Sequence, residues 1–202
     1  MVRERTFAEA LEHRRSYYSI SNDSPVQDEE IVHIIRTAVK HVPSAFNSQT
    51  TRIVLLLGDE HQKLWRIVKD QLEERLSEKQ YRQSEKKIDT SFSCGYGTIL
   101  FFEDRSIVEG LQKQFPTYHE NFPTWSQHTS AMHQLAIWTM LEDKGLGASL
   151  QHYNPLIDED VRSTWHLPET WQLIAQMPFG TPVAEPGGKE FDDLSERIKI
   201  FI

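Results

Sequence analysis

The sequence predicts a single domain that mixes α-helices with β-strands. Apolar residues recur at helical spacing in several segments, which indicates amphipathic helices. Short apolar runs and alternating segments indicate four or five strands among five or more helices. The chain has 202 residues, a length that fits one domain with a substantial buried core. The spacing leaves the order and direction of the strands open.

Helices are predicted from capping residues and from apolar spacing. The first follows the capping box that Thr6 and Glu9 can form, and it ends near Arg14-Arg15-Ser16. The second covers about 28–42 and ends before Pro43. Three further helices are expected around residues 64–76, 125–145 and 155–165. The polar stretch 77–87 is expected to be a solvated helix end or a loop.

Strands are predicted where apolar runs are short or alternate with polar residues. They are expected at 53–57, 98–102, 148–150, 171–177 and 198–202. Prolines and glycines separate the last of these from the body, at Pro182, Pro186, Gly187 and Gly188. Such an arm often lies on a neighbouring subunit, and local packing is the alternative.

Composition excludes several classes of protein and predicts a cytoplasmic one. A net charge of −8 argues against a nucleic-acid binder, although it leaves room for one local anion pocket. No apolar run approaches the length of a membrane helix, and Met1 to Arg5 lead into a helical pattern without an apolar signal core. A single cysteine, Cys94, fits a reducing compartment.

Two basic segments are candidates for a phosphate site. Arg14 and Arg15 stand beside Ser16, and two guanidinium groups next to a hydroxyl suit a phosphate. Lys189, in a glycine-rich segment, could supply another cation. The alternatives are two solvated arginines and a lysine on an exposed linker.

The loop between the second helix and the first strand is a candidate binding loop. It reads Pro-Ser-Ala-Phe-Asn-Ser-Gln over 43–49. Asn47 and Gln49 each carry a donor and an acceptor, which match the pyrimidine edge of a flavin. In the alternative, these side chains only satisfy the backbone of their own loop.

Aromatic and histidine residues cluster between positions 115 and 133. Phe115, Tyr118, Phe122 and Trp125 indicate either core or dimer packing or an aromatic lid that selects flat acceptors. The histidines show no metal-ligand spacing, so no metal site is predicted.

Together these segments resemble the nitroreductase family of FMN-dependent oxidoreductases. The resemblance rests on Arg14-Arg15-Ser16, on the 43–49 loop, on Gly180-Thr181-Pro182 followed by Lys189, and on Gly145-Leu146-Gly147. It spans nearly the whole chain and is greatest to the branch of stress-induced bacterial nitroreductases and fungal relatives. It implies an α+β fold over 1–202, with a mixed, mainly antiparallel sheet flanked by helices. Terminal segments would be exchanged in a homodimer.

The resemblance also implies a set of FMN-binding residues at the subunit interface. Arg14, Ser16 and Lys189 would hold the phosphate, with Arg15 near it. From the partner subunit, Pro43, Ser44 and Ala45 would pack along the isoalloxazine, with Asn47 and Gln49 near its polar edge and the ribityl chain. Gln151 and His152 stand where the family often has glycines whose amide meets flavin N5. Tyr18 stands where many members have a basic residue near flavin O2, and Lys86 or Lys87 is a possible substitute.

The function implied is a ping-pong transfer of reducing equivalents. NADH or NADPH would reduce the flavin and leave, and a nitroaromatic or quinone-like acceptor would then be reduced. No acid–base residue is nominated, because the cofactor carries the chemistry. The alternative is an FMN-binding stress or regulatory protein with little turnover, which the substitutions at Tyr18, Gln151 and His152 would allow.

Overall fold

The computed structural model describes residues 5–202; the N-terminal residues 1–4, where the sequence shows no apolar signal core, lie outside the described part. The helices are α1 (Phe7–His13), α2 (Asp28–His41), α3 (Gly58–Glu73), α4 (Glu78–Ser91), α5 (Arg105–Gln114), α6 (Asn121–Asp143), α7 (Asp158–Thr164) and α8 (Leu194–Arg197). The strands are β1 (Ile20–Ser21), β2 (Thr51–Leu57), β3 (Gly97–Asp104), β4 (Gly147–Ala148) and β5 (Trp171–Pro182).

The strands form one antiparallel sheet in the order β1-β5-β3-β2, and β4 also pairs with β5. A parallel bridge joins Ser16 to Ala148 beside β4. Among the strands of the described chain, β5 pairs with the most partners, so it forms the centre of the sheet. The predicted α+β fold, with a mainly antiparallel sheet between helices, is confirmed.

Helices cover both faces of the sheet, so its central strands are buried on both sides. Every residue of β3 is buried, which explains why its sequence is a continuous apolar run. Alternation sends Ile99 and Phe101 toward α2 and α6, and Leu100 and Phe102 toward α3, α4 and α7. The two halves of the core therefore lie on opposite faces of one sheet.

Some elements differ from the sequence prediction. The stretch predicted as a helix end or loop is a separate helix, α4, which begins at a capping box of Ser77 and Gln80. Ile88 is its only buried residue, so the apolar stripe was too sparse to reveal it. β1 and α5 were not predicted, and the strand expected at 148–150 is only Gly147–Ala148.

The strand predicted at 198–202 is absent: the C-terminal arm has one short helix, α8, and residues 198–202 after it have no regular secondary structure. Within residues 5–202 no strand pairs with this segment. Its apolar side chains are exposed, including Ile200 at 77% and Phe201 at 93%. Alternating apolar residues form a strand only beside a partner edge, and the described chain offers none to this segment.

Gly180 in β5 is expected to tolerate no side chain. A Cβ at this position would lie 2.1 Å from the backbone oxygen of Ser21 and 3.0 Å from the amide of Tyr96. Gly180→Ala should therefore destabilise the fold by about 2 kcal/mol, because both obstacles are backbone atoms. Urea unfolding measures the effect.

Gly110→Ala is the matched control for this prediction. Gly110 lies in α5, and no atom comes within 4 Å of the point that a Cβ would occupy there. Alanine favours a helix over glycine by up to about 1 kcal/mol, so this variant should be as stable as the natural chain or slightly more stable. Equal unfolding midpoints for the two variants would contradict the steric explanation.

Candidate functional site

Segments from both ends of the chain enclose a cavity of about 600 Å³, which we name the arginine cavity. One wall comes from the residues between α1 and β1, and the other from the segment after β5. Its lining residues are Arg14, Arg15, Ser16, Tyr18, Ser19, Ala184, Glu185, Pro186, Gly187, Gly188 and Lys189. The two predicted phosphate segments, which are far apart in sequence, thus meet in one cavity.

Extended backbone after α1 places Ser16 and Tyr18 toward the arginine cavity and Tyr17 away from it. Ser16 forms the bridge with Ala148, and the Tyr17 amide donates to the Ala148 carbonyl at 2.9 Å. Tyr17 is buried, whereas Ser16 and Tyr18 are exposed and line the cavity. This alternation is the ordinary geometry of extended chain.

Hydrogen bonds fix the opposite wall to this segment. Arg15 Nη2 donates to the carbonyl of Gly187 at 2.7 Å, and the Tyr17 hydroxyl donates to Glu185 Oε2 at 3.2 Å. The Val183 amide donates to the Ser19 carbonyl at 3.0 Å. The segment that carries Lys189 is therefore held beside the arginines.

Arg14 is the most constrained cation of the cavity. Its guanidinium lies 4.3 Å from the ring centroid of Trp138, and burial lowers the pKa of Arg14, against the opposing charge of Glu142. The Nε atom is buried and has no hydrogen-bond partner among residues 5–202. Buried donors are usually paired in folded proteins, so the unpaired Nε leaves Arg14 able to bond an additional acceptor.

The sequence did not identify Trp138 and Glu142 as parts of this site. Both lie on α6, one helical turn apart, and both act on Arg14. Residues four positions apart share a helix face. The spacing in the sequence indicates that Trp138 and Glu142 share a helix face. It does not indicate which distant segment packs against that face.

The loop between α2 and β2 has an unusual backbone conformation. Phe46, Asn47 and Gln49 have φ angles of 57°, 50° and 49°, in the left-handed region that side chains disfavour. The Gln49 amide donates to Ser44 Oγ at 2.9 Å, and the Asn47 amide donates to the Ser44 carbonyl at 2.9 Å. Ser44 thereby holds the turn together.

The polar side chains of this loop point outward. Asn47 and Gln49 are exposed, and the Gln49 side chain donates to the Asn47 carbonyl at 3.5 Å. This contact agrees with the alternative interpretation of Gln49, in which its side chain satisfies the backbone of its own loop. Pro43 is exposed and Ala45 is half-buried, so the loop presents both apolar and amide groups to its surroundings.

Phe46 anchors the loop in an aromatic cluster. Its ring lies 4.9 Å from Phe115, 5.3 Å from Phe122, 5.7 Å from Tyr118 and 6.0 Å from Trp125, measured between centroids. Contacts with aromatic rings at these distances are favourable and offset the strained backbone. Phe46 and Tyr118 remain about half exposed, so the cluster presents a flat apolar surface beside the loop.

The structure does not join the two halves of the predicted site within one chain. Pro43, Ser44, Ala45, Asn47 and Gln49 are absent from the lining of the arginine cavity. The loop and the cavity are therefore separate surfaces in the described part of the protomer. A single site would require a loop from another copy.

Gln151 and His152 differ in what their amides can do. The Gln151 amide donates to the Gln176 carbonyl at 2.7 Å, and the Gln176 amide donates to the Gln151 carbonyl at 2.9 Å. Gln151 is buried and its side chain donates to Ser149 Oγ at 3.1 Å. His152 is exposed, and its amide has no partner among residues 5–202. Of these two amides, that of His152 is the one available to a ligand.

Comparison with known proteins decides the family. The model of the Nitroreductase family matches residues 11–181. The chain belongs to the nitroreductase family. Family membership confirms the prediction from the sequence that the protein is an enzyme, an FMN-dependent oxidoreductase.

Individual relatives of this nitroreductase cover nearly the whole chain. The putative nitroreductase HBN1 of Saccharomyces cerevisiae is 34% identical over 198 residues, which are 97% of each protein. Nitroreductase CinD from Lactococcus lactis, in a complex with nicotinic acid, is 42% identical with a TM-score of 0.90, covering 97% of this chain and all of that one. An FMN-bound nitroreductase from Desulfitobacterium hafniense, 14% identical with a TM-score of 0.71 over the whole of both chains, shares the fold.

Helix hydropathy and side-chain clustering bear on two other kinds of site. In the described range 5–202, no helix is both long and apolar enough to cross a membrane. The same residues contain no group of three or more His, Cys, Asp or Glu side chains arranged to hold a metal ion.

Proposed function

We propose that this nitroreductase binds FMN in the arginine cavity and passes reducing equivalents from NADH or NADPH to a small aromatic or quinone-like acceptor. The observation that carries the proposal is the cavity itself. It gathers Arg14, Arg15, Ser16 and Lys189 in a protein whose net charge is −8. Such a local concentration of cations in an acidic protein suits an anionic ligand.

The residues present fit the phosphate of FMN. Arg14 contributes a buried Nε that has no partner in the described chain, and a phosphate oxygen would satisfy it. Ser16 and Lys189 line the same cavity with a hydroxyl and an ammonium. Arg15 already donates to Gly187, so its role would be shared between shaping the wall and adding charge. Hydrogen bonds between a cationic side chain and a phosphate are stronger than hydrogen bonds between neutral groups.

A second copy of the chain would complete the site. Large apolar side chains are exposed at the C-terminal arm, including Phe191 at 74% and Ile198 at 54%, and Phe7 of α1 is 69% exposed. Large exposed apolar side chains are typical of a protein interface, and they support the proposed homodimer. In a homodimer with exchanged terminal segments, the partner's loop would bring Pro43, Ser44, Ala45, Asn47 and Gln49 to the flavin ring.

The protein groups would bind, orient and shield, and none is assigned as an acid or base. FMN, when bound, supplies the transfer of hydride and electrons. The exposed amides of Asn47 and Gln49 match the donors and acceptors of a flavin pyrimidine edge. The amide of His152, which is not committed within residues 5–202, is a candidate donor to the ring, whereas that of Gln151 is committed to Gln176.

The aromatic cluster supports a flat acceptor. Phe46 and Tyr118 expose ring surface beside the loop that would contact the flavin. Stacking on aromatic rings favours planar molecules. Structures of the Lactococcus lactis nitroreductase CinD contain chloramphenicol and 4-nitrophenol, and nitroaromatic compounds are accordingly the acceptors we propose here.

An anaerobic reduction experiment tests this function. The purified protein should carry FMN absorption, and that absorption should bleach within seconds of adding NADH or NADPH. After the nicotinamide is removed by anaerobic desalting, a nitroaromatic compound should restore the oxidised spectrum. Restoration without nicotinamide present is the behaviour expected of a ping-pong mechanism.

The other outcomes of the same experiment are informative. Protein that is yellow but stays oxidised would favour the alternative, an FMN-binding stress or regulatory protein with little turnover. Protein that is colourless and takes up no added FMN would refute the proposed function.

A further inference from the structure

A second cavity, of about 190 Å³, is lined by residues of α5 and α6 and by the ends of β3 and β5; we name it the glutamate cavity. Glu103, near the end of β3, is 1% exposed and is part of its lining. Because Glu103 alternates with Ile99 and Phe101, it lies on the face of the sheet that α6 covers. The glutamate cavity and the arginine cavity share no lining residue.

The carboxylate of Glu103 is only partly satisfied by the protein. Its Oε1 accepts from the Thr51 hydroxyl at 2.6 Å, whereas its Oε2 is buried and has no hydrogen-bond partner among residues 5–202. Burial raises the pKa of Glu103, against the charge of Arg52. Arg52 itself pairs with Asp104 at 3.2 Å. The unpaired Oε2 therefore leaves Glu103 able to bond an additional donor.

The charges of the lining favour a cation. The charged lining residues are Glu103, Glu109 and Arg105, which are two carboxylates and one guanidinium. Arg105 is exposed, and its Nη2 donates to the carbonyl of Glu169 at 3.4 Å. Ser126, which is buried in the lining, donates its hydroxyl proton to a backbone carbonyl at 3.2 Å, so its oxygen remains as an acceptor.

The size and walls of the glutamate cavity favour a short organic ion. Val108 on α5 and Pro123 on α6 supply apolar surface. A volume of about 190 Å³ is below the roughly 300–1,000 Å³ of sites for drug-sized ligands. Residues 5–202 hold no group of three or more His, Cys, Asp or Glu that could bind a metal ion. An alkyl chain that ends in a cation matches these features.

We propose that the glutamate cavity binds a small primary alkylammonium ion, with its ammonium on the carboxylate of Glu103 and its carbon chain between Val108 and Pro123. A primary ammonium carries three N–H donors, and Glu103 Oε2 and Ser126 Oγ are acceptors in or beside the cavity. Hydrogen bonds between an ammonium and a carboxylate are stronger than those between neutral groups. The inference does not depend on FMN, because the arginine cavity is a separate space.

A methyl NMR titration of the purified protein with butylammonium chloride tests the proposal. The Val108 methyl signals should shift and saturate, and those of Val68, which is buried in the other half of the core, should not. Butanol has the same carbon chain without the charge, so it should bind at least about tenfold more weakly. Potassium chloride at the same ionic strength should leave the Val108 signals in place.

Variants separate the charge of the cavity from the charge of the whole protein. Glu103→Gln should weaken butylammonium binding about tenfold, because a hydrogen bond between charged groups becomes one to a neutral amide. Glu73→Gln is the matched control: Glu73 is exposed on α3 and outside this lining, so affinity should change by less than about twofold. Arg105→Met removes the opposing cation at an exposed position and should strengthen binding about twofold.

Each outcome supports or overturns the inference. Val108 signals that never shift, or that respond equally to butanol, would show that the cavity holds no ammonium. An equal response to potassium chloride would show an inorganic cation instead, and weaker binding in Arg105→Met would show that the ligand is not held as a cation. If Glu103→Gln does not fold, Arg105→Met and Glu109→Gln decide, since both positions are exposed and their effects should have opposite signs.

Discussion

Replacing Arg14 with methionine should weaken FMN binding about 100-fold and leave riboflavin binding within about twofold, because a hydrogen bond to a charged group contributes roughly 1.5–3 kcal/mol. The buried Nε of Arg14 has no acceptor within residues 5–202, and riboflavin lacks the phosphate that would supply one. Methionine keeps an aliphatic chain over Trp138, on which Arg14 now stacks at 4.3 Å. Fluorescence titration of the apoprotein measures both dissociation constants.

Arg82→Met is the control for charge alone. Arg82 is exposed on α4 and is outside the lining of the arginine cavity. Its loss should change FMN affinity by less than about twofold, since a distant exposed charge is largely screened. A parallel loss of FMN and riboflavin affinity in Arg14→Met would contradict a phosphate-specific role and indicate damage to the cavity.

Acidification from pH 6.5 to pH 4 should remove about 3 kcal/mol of stability through His61 alone. This imidazole is 1% exposed and lies between the Thr98 hydroxyl, at 2.9 Å, and the Ser93 carbonyl, at 3.2 Å. Burial lowers the pKa of His61 from its ordinary 6.5 to about 4. Between pH 6.5 and pH 4, His61 is protonated in the unfolded chain and neutral in the folded protein. The stability contributed by neutral His61 is therefore full above pH 6.5 and is lost as the pH falls toward 4.

His61→Gln isolates the contribution of this residue. Urea unfolding of both proteins between pH 7 and pH 4 gives the free energy of unfolding at each pH. The variant should be less stable at pH 7 and should lose less stability on acidification. Subtracting the two profiles removes the other titrating groups, including His133, whose pKa burial also lowers. Parallel profiles would show that His61 takes no part, and an NMR titration of its ring gives the pKa directly.

Local patterns in the sequence predicted most of the elements of the fold. The capping box of Thr6 and Glu9 is present at the start of α1, and β3 falls on the expected apolar run. The prediction was weakest where burial is sparse. α4 buries Ile88 alone, and β1 has only two residues, so neither produces a periodic signal. The direction of the strands depends on contacts between distant segments and came from family resemblance instead.

The candidate site was predictable in its parts and not in its assembly. Arg14, Arg15, Ser16 and Lys189 were proposed from local chemistry, and they line one cavity. The contacts of Arg14 with Trp138 and of Lys87 with Tyr18 join segments far apart in the chain. No spacing rule connects such segments, because the fold alone decides which helix face meets which loop.

The central position of β5 has a consequence for how the protein is made. This strand comes late in the chain yet pairs with β1, β3 and β4, and the bond from Arg15 to Gly187 closes the arginine cavity across 172 positions. A ribosome releases the N-terminal residues first. The pairing of β2 with β3 can therefore form on the nascent chain. Arg14 and Arg15 meet the opposite wall of the arginine cavity only when translation is almost finished. Binding of FMN in this cavity, as proposed, would therefore follow synthesis, and a chain that ended at Pro182 would lack one wall of the cavity while retaining the residues of all five strands.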